Sequence, residues 1–97
     1  MRDDGFVDRI AVAEYETRIA RHALKVLLTF SLLHRRRMPV ADLPHYVETV
    51  GFYRDVNAAV LRMPPAALAT LLVEELVRAG AVRVHDGDLV PVTEADA

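Results

Sequence analysis

The segment from Leu72 to Val92 constrains the fold more than any other stretch of this chain. Leu68, Leu72 and Leu76 recur every fourth residue, which gives one apolar helix face. Gly80 follows where a helix commonly ends in the left-handed conformation. Beyond it, Val82-Arg83-Val84-His85 and Asp88-Leu89-Val90-Pro91 flank Asp86-Gly87. That dipeptide suits a two-residue type I′ hairpin turn, because both central residues need positive φ. The register is then fixed: His85 opposes Asp88, Val84 opposes Leu89, Arg83 opposes Val90, and Val82 opposes Pro91. Val82, Val84, Leu89 and Pro91 share one face and are expected to lie on helices, with Arg83 and His85 facing away. The helix before the hairpin is predicted at about 65–79, starting at prolines that the first turn tolerates. It buries Leu68, Leu72, Leu76 and Ala79, with Leu71 and Val73 alongside.

Between residues 8 and 36 no proline or glycine interrupts the chain, so one long helix is predicted there. Its apolar residues form two adjoining stripes, Ile19-Ala23-Val26-Phe30-Leu33 and Ala20-Leu24-Leu27-Leu28-Ser31. From Val26 to Leu33 only Thr29 and Ser31 are polar. Such a helix is either central to the domain or packed against a second subunit. A homodimer or a hetero-complex is therefore expected, with Ile19, Val26, Phe30 and Leu33 in the interface. Phe52 and Tyr53 join them as aromatic anchors, although one of the two is expected in the core. Arg18, Arg21, His22 and Lys25 share a helix face, which is either solvated or suited to acids and phosphates. Met38-Pro39-Val40 breaks the helix. Asp42 is the predicted N-cap of a short helix at about 43–50, ended by Gly51. A further amphipathic piece at about 52–62 presents Phe52, Val56 and Val60. Residues 1–6 and 93–97 are expected to be loose ends.

Ninety-seven residues, 53% of them hydrophobic, suffice for one domain with a modest core. The net charge of -2 argues against indiscriminate nucleic-acid coating, whose affinity comes from phosphate neutralisation. Residues 1–51 hold eight Arg/Lys against seven Asp/Glu, and residues 52–97 hold four against seven. The hairpin thus lies in the acidic half. With no cysteine there is no disulfide or thiolate site, which fits a reducing cytoplasm. The N-terminus lacks the order of a signal peptide, and no apolar run approaches a membrane span, so a soluble cytoplasmic protein is expected. His22, His34, His45 and His85 show no metal-ligand spacing, and no metal or cofactor is expected. No Gly-rich phosphate loop, nucleophile elbow or metalloprotease motif is present, so the chain is expected not to be an enzyme.

Taken together, residues 19–92 resemble the winged helix-turn-helix superfamily. Met38-Pro39-Val40-Ala41-Asp42-Leu43 looks like the short strand and capped second helix. Leu72-x3-Leu76-x3-Gly80-x-Val82 resembles the end of the third helix and the entry to the wing, with Asp86-Gly87 at its tip. The resemblance implies a mainly α fold with a small β-hairpin, an α+β class, here with a long N-terminal helix and an extra helical segment at 51–63. It also implies base reading from the start of the third helix. Pro65, Ala66, Ala67, Ala69 and Thr70 occupy those positions, and none makes a bidentate contact to a base. Two functions follow. One is a DNA-associated regulator that grips duplex phosphates through Arg35, Arg36, Arg37, Arg83 and His85. The other is a protein-interaction module that keeps the fold without DNA binding.

Overall fold

Helix α1 spans Arg2–Arg35 in the computed structural model, which describes the backbone of residues 2–92 and the side chains of residues 11–92. Residues 2–6, expected as part of a loose end, thus belong to the helix; residues 93–97 lie outside the described residues. At about 1.5 Å per residue such a helix is about 51 Å long, and the molecule's longest extent is 54 Å. One edge of α1 enters the core through Ala20, Leu24, Leu28 and Leu32. The second expected stripe is therefore the core face, and Leu32 continues it in place of Ser31. From Ala11 to Ile19 every residue except Thr17 is exposed, so this stretch of the helix projects beyond the body.

Arg36 ends α1 in the left-handed region at φ 78, with its N–H donating to the Leu32 carbonyl at 2.7 Å. The chain then extends into β1 (Met38–Pro39), as the restriction that Pro39 places on Met38 requires. A 3-10 turn at Val40–Asp42 leads to α2 (Leu43–Thr49), which has Pro44 in its first turn. Asp42 does not cap α2 as expected. Its backbone is already helical and its side chain makes no capping bond, because the 3-10 turn carries straight into the helix. Nor does Gly51 terminate α2: extended Val50 makes the corner and Gly51 opens α3 (Gly51–Val56).

Because α3 starts at that corner, its buried face is rotated from the one predicted. Tyr53 enters the core, Val56 and Leu61 pack against it, and Phe52 is exposed. Spacing by four also fails beyond Val56, where the chain widens into a π turn at Asn57–Leu61. Arg62 closes the turn at φ 54. Asn57 ties the exit down: its Nδ2 donates to the Met63 carbonyl at 2.8 Å, and the Met63 N–H donates to Oδ1 at 3.0 Å.

Helix α4 (Pro65–Arg78) buries Leu68, Ala69, Leu72 and Leu76. Ala79, expected in the core, is an exposed cap residue because the helix ends one residue earlier. Gly80 takes φ 76 and closes the end: its N–H reaches the Val77 carbonyl, and that of Ala81 reaches Leu76, both at 3.0 Å. Strands β2 (Val82–His85) and β3 (Asp88–Pro91) pair in the predicted register through all four residue pairs. Asp86 and Gly87 both have positive φ, 51 and 78, as a type I′ turn demands.

The hairpin is joined by β1, which pairs antiparallel with β3 through Met38↔Leu89 and Pro39↔Asp88. The result is a three-stranded sheet of order β1-β3-β2 rather than a hairpin alone. Val82, Leu89 and Pro91 are buried, with β3 against α1 and β2 against α4. Val84, expected on that buried face, is 50% exposed, since it lies toward the hairpin tip on an edge strand. The fold is α+β, mainly helical with one small antiparallel sheet. Among the described residues no single helix is long and apolar enough to cross a membrane.

Candidate interaction surface

The face of α1 turned away from the core carries Val12, Tyr15, Ile19, Val26, Phe30 and Leu33, all exposed. Phe30 is 64% accessible and Leu33 52%, and they belong to a contiguous stripe rather than being scattered singly. Ile19, Val26, Phe30 and Leu33 are thus brought together on one stripe, where an interface was expected. Val12 and Tyr15 extend that stripe into the projecting half and were missed by the stripe assignment. Their signal is in the sequence: Val12, Ile19, Val26 and Leu33 are spaced by seven, the repeat of helices that pair along their length.

Beside the stripe, α1 and the end of α4 enclose a shallow, mostly apolar recess of about 300 Å³. His22, Lys25, Val26 and Phe30 form one wall, and Leu76 and Ala79 the other. Lys25 Nζ meets Glu75 Oε1 at 3.2 Å and holds the two helices together at this point. Both charged groups are largely buried, so the pair is screened less than a surface ion pair.

Phe52 lies outside this stripe, on α3, and is half exposed. Tyr53 is not an interface residue: at 2% exposure it belongs to the core, because the corner at Val50 turns it inward. Its ring meets that of Tyr46 edge-on, 5.1 Å between centroids. Tyr46 in turn shares a hydrogen bond with Ser31 at 3.1 Å, whereas the Tyr53 hydroxyl is buried without a hydrogen-bond partner. Burial, and then the neighbouring Tyr46, push the Tyr53 hydroxyl well above the usual tyrosine range.

The expected cationic residues divide between two places. Arg35 stacks its guanidinium over Tyr46, 5.3 Å from the ring centroid, at the α2 side. Arg36 occupies the left-handed turn that ends α1. Arg37 Nε contacts Asp88 Oδ2 at 3.1 Å, which draws it toward the sheet. Strand alternation places Asp88, Arg83 and His85 on the outer face of that sheet, so Arg37, Arg83 and His85 come together there. His85 pairs with Asp86 at 3.3 Å rather than with Asp88 across the hairpin, since Asp88 is engaged by Arg37. Cations and carboxylates therefore alternate on this face. The exposed side of α4 offers Ala66, Ala67, Thr70 and Glu74, small or acidic groups that make none of the bidentate Arg–guanine or Asn/Gln–adenine contacts.

Among the described residues no group of three or more His, Asp or Glu side chains is placed to hold a metal ion. Comparisons with protein families, with curated proteins and with solved structures give no match.

Proposed function

We propose that this chain is a non-enzymatic protein-interaction module built on a winged-helix-like frame, acting in the cytoplasm and docking through α1. The frame is supported by the order helix, short strand, helix, helix, hairpin, with β1 completing the sheet beside β3. Helix α3 and its π turn are an insertion relative to the common form. The observation that carries the functional reading is the stripe from Val12 to Leu33, six large apolar or aromatic side chains left in water. Exposed apolar patches of this kind mark docking surfaces. The test is a photo-crosslinking amino acid placed at Phe30 in cells expressing the protein, with the same probe at Arg54 as control. A discrete protein adduct at position 30 and none at position 54 is the expected result. No adduct at position 30 overturns the reading.

A second reading rests on the sheet face that gathers Arg37, Arg83 and His85, with Arg35 and Arg36 nearby: contact with the phosphates of duplex DNA. It requires affinity that falls steeply with salt, and a flatter slope once Arg35, Arg36 and Arg37 are replaced by glutamine. A duplex titration at two salt concentrations decides it, and absence of binding at low salt removes it.

A further inference from the structure

We propose that the groove between α1 and α4 binds a small amphiphilic anion, an acidic head group on one short apolar chain. The groove lies to the side of the exposed stripe and is built whether or not a protein covers that stripe. Three observations carry this.

The first is charge. Arg18, Arg21, His22 and Lys25 form the helix face whose spacing suits acids and phosphates, and with Glu75 of α4 they line a hollow of about 320 Å³. Glu75 is the one acid lining it among the described residues, and its Oε1 already meets Lys25 at 3.2 Å. Arg18, Arg21 and Lys25 against Glu75 leave a surplus of two positive charges, with His22 neutral. Among the described residues the Arg18 and Arg21 guanidinium groups take part in no salt bridge or hydrogen bond. Arg21 is half-buried and its Nε has no hydrogen-bond partner, so packing rather than an acid holds its side chain in place. Like charges three and four residues apart repel along a helix, and an anion set between them relieves that repulsion. A guanidinium pair also presents forked donors that suit the oxygens of a carboxylate or phosphate.

The second is the apolar continuation. His22 and Lys25 also line the recess of about 300 Å³ whose other walls include Val26, Phe30, Leu76 and Ala79. The two hollows thus adjoin, cationic toward Arg18 and apolar toward Phe30. An inorganic anion would fill the first and leave the second in water. A neutral apolar molecule would fill the second and leave both arginines unpaired. A molecule with both parts satisfies the whole groove.

The third is size. From Arg21 to Phe30 the groove follows α1 for about 14 Å, at about 1.5 Å per residue. Small-molecule sites are mostly apolar clefts of about 300–1,000 Å³ with a few convergent polar groups. Each hollow stands at the lower end of that range, which fits one short chain rather than a two-chain lipid.

Calorimetry with sodium hexanoate, octanoate and decanoate tests the two ends separately. Saturable binding of one anion per chain is expected, tightening about tenfold for each pair of methylenes buried. Arg18→Gln with Arg21→Gln should weaken all three acids by a common factor of about tenfold and keep the chain-length trend. Ala79→Leu, which fills the recess from an exposed cap position, should flatten that trend instead. Tyr15→Ala, on the stripe outside the groove, should change neither, and all variants should keep the helical circular dichroism. Absence of saturable decanoate binding at about 1 mM overturns the site. Binding of 1-octanol as tight as that of octanoate overturns the anionic head. A loss from Tyr15→Ala equal to that from the arginine pair means that the acid coats the stripe, and overturns the groove. Capture by anionic phosphatidylglycerol vesicles, without binding of monomeric decanoate, assigns the cations to a lipid surface and overturns the small ligand.

Discussion

Tyr53 shows how far one residue departs from what its neighbours in sequence suggest. It follows Phe52 on an exposed-looking segment, yet the corner at Val50 sends its ring into the core against Tyr46. There its hydroxyl has no hydrogen-bond partner. An unsatisfied buried hydroxyl costs about 1–3 kcal/mol, which the packing of the ring must outweigh. Tyr53→Phe is therefore expected to leave stability at neutral pH unchanged or to raise it by up to about 1 kcal/mol, measured by urea unfolding. The same residue governs the alkaline limb. Its hydroxyl titrates above the ordinary tyrosine value of 10.0 in the folded chain. The folded state thus holds the proton more tightly than the unfolded state. The resulting stability is complete below pH 10 and is lost as pH climbs beyond it, by about 1.4 kcal/mol per pH unit. Tyr53→Phe should flatten that loss. Equal alkaline slopes for the two proteins would contradict the assignment.

At the level of elements, what was legible in the sequence is what local chemistry decides. The β2–β3 register follows from Asp86-Gly87 alone, because a two-residue turn with two positive φ values admits one pairing. The Gly80 stop is equally local. Gly80→Ala meets no atom within 4 Å, so its expected cost is the left-handed strain alone, about 1–2 kcal/mol. A much larger loss in thermal unfolding would mean that the turn packs more tightly than its open surroundings suggest. Distant partners decide the features that the sequence hid. Pairing of β1 with β3 joins residues fifty apart, and the face of α3 is set by a corner and a π turn that no periodicity announces. On the candidate site, spacing found Ile19, Val26, Phe30 and Leu33 but could not say which α1 stripe the core takes. That choice predicts opposite behaviour for two neighbours. Leu28 is fully buried, and Leu28→Ala should cost about 2–5 kcal/mol. Phe30→Ala should change the stability of the dilute monomer by no more than about 0.5 kcal/mol, since its ring lies mostly in water. Comparable losses for the two would place Phe30 in the fold rather than on the docking face.

For the molecule as a whole, α1 is too long for the body it serves. The radius of gyration is 15.5 Å, against about 12.5 Å for a compact chain of this length. A 34-residue helix survives such exposure best when a partner covers it, because isolated helical segments gain little from propensity alone. Folding and association should then be coupled. A chain whose α1 stripe pairs with a second copy melts at a temperature that climbs with its own concentration, because only the folded state associates. A stripe that serves a different protein leaves the melting temperature independent of the chain's own concentration until that protein is added. Calorimetry over a hundred-fold range of concentration, about 1–100 µM, separates the two by about 2.7 kcal/mol of linkage.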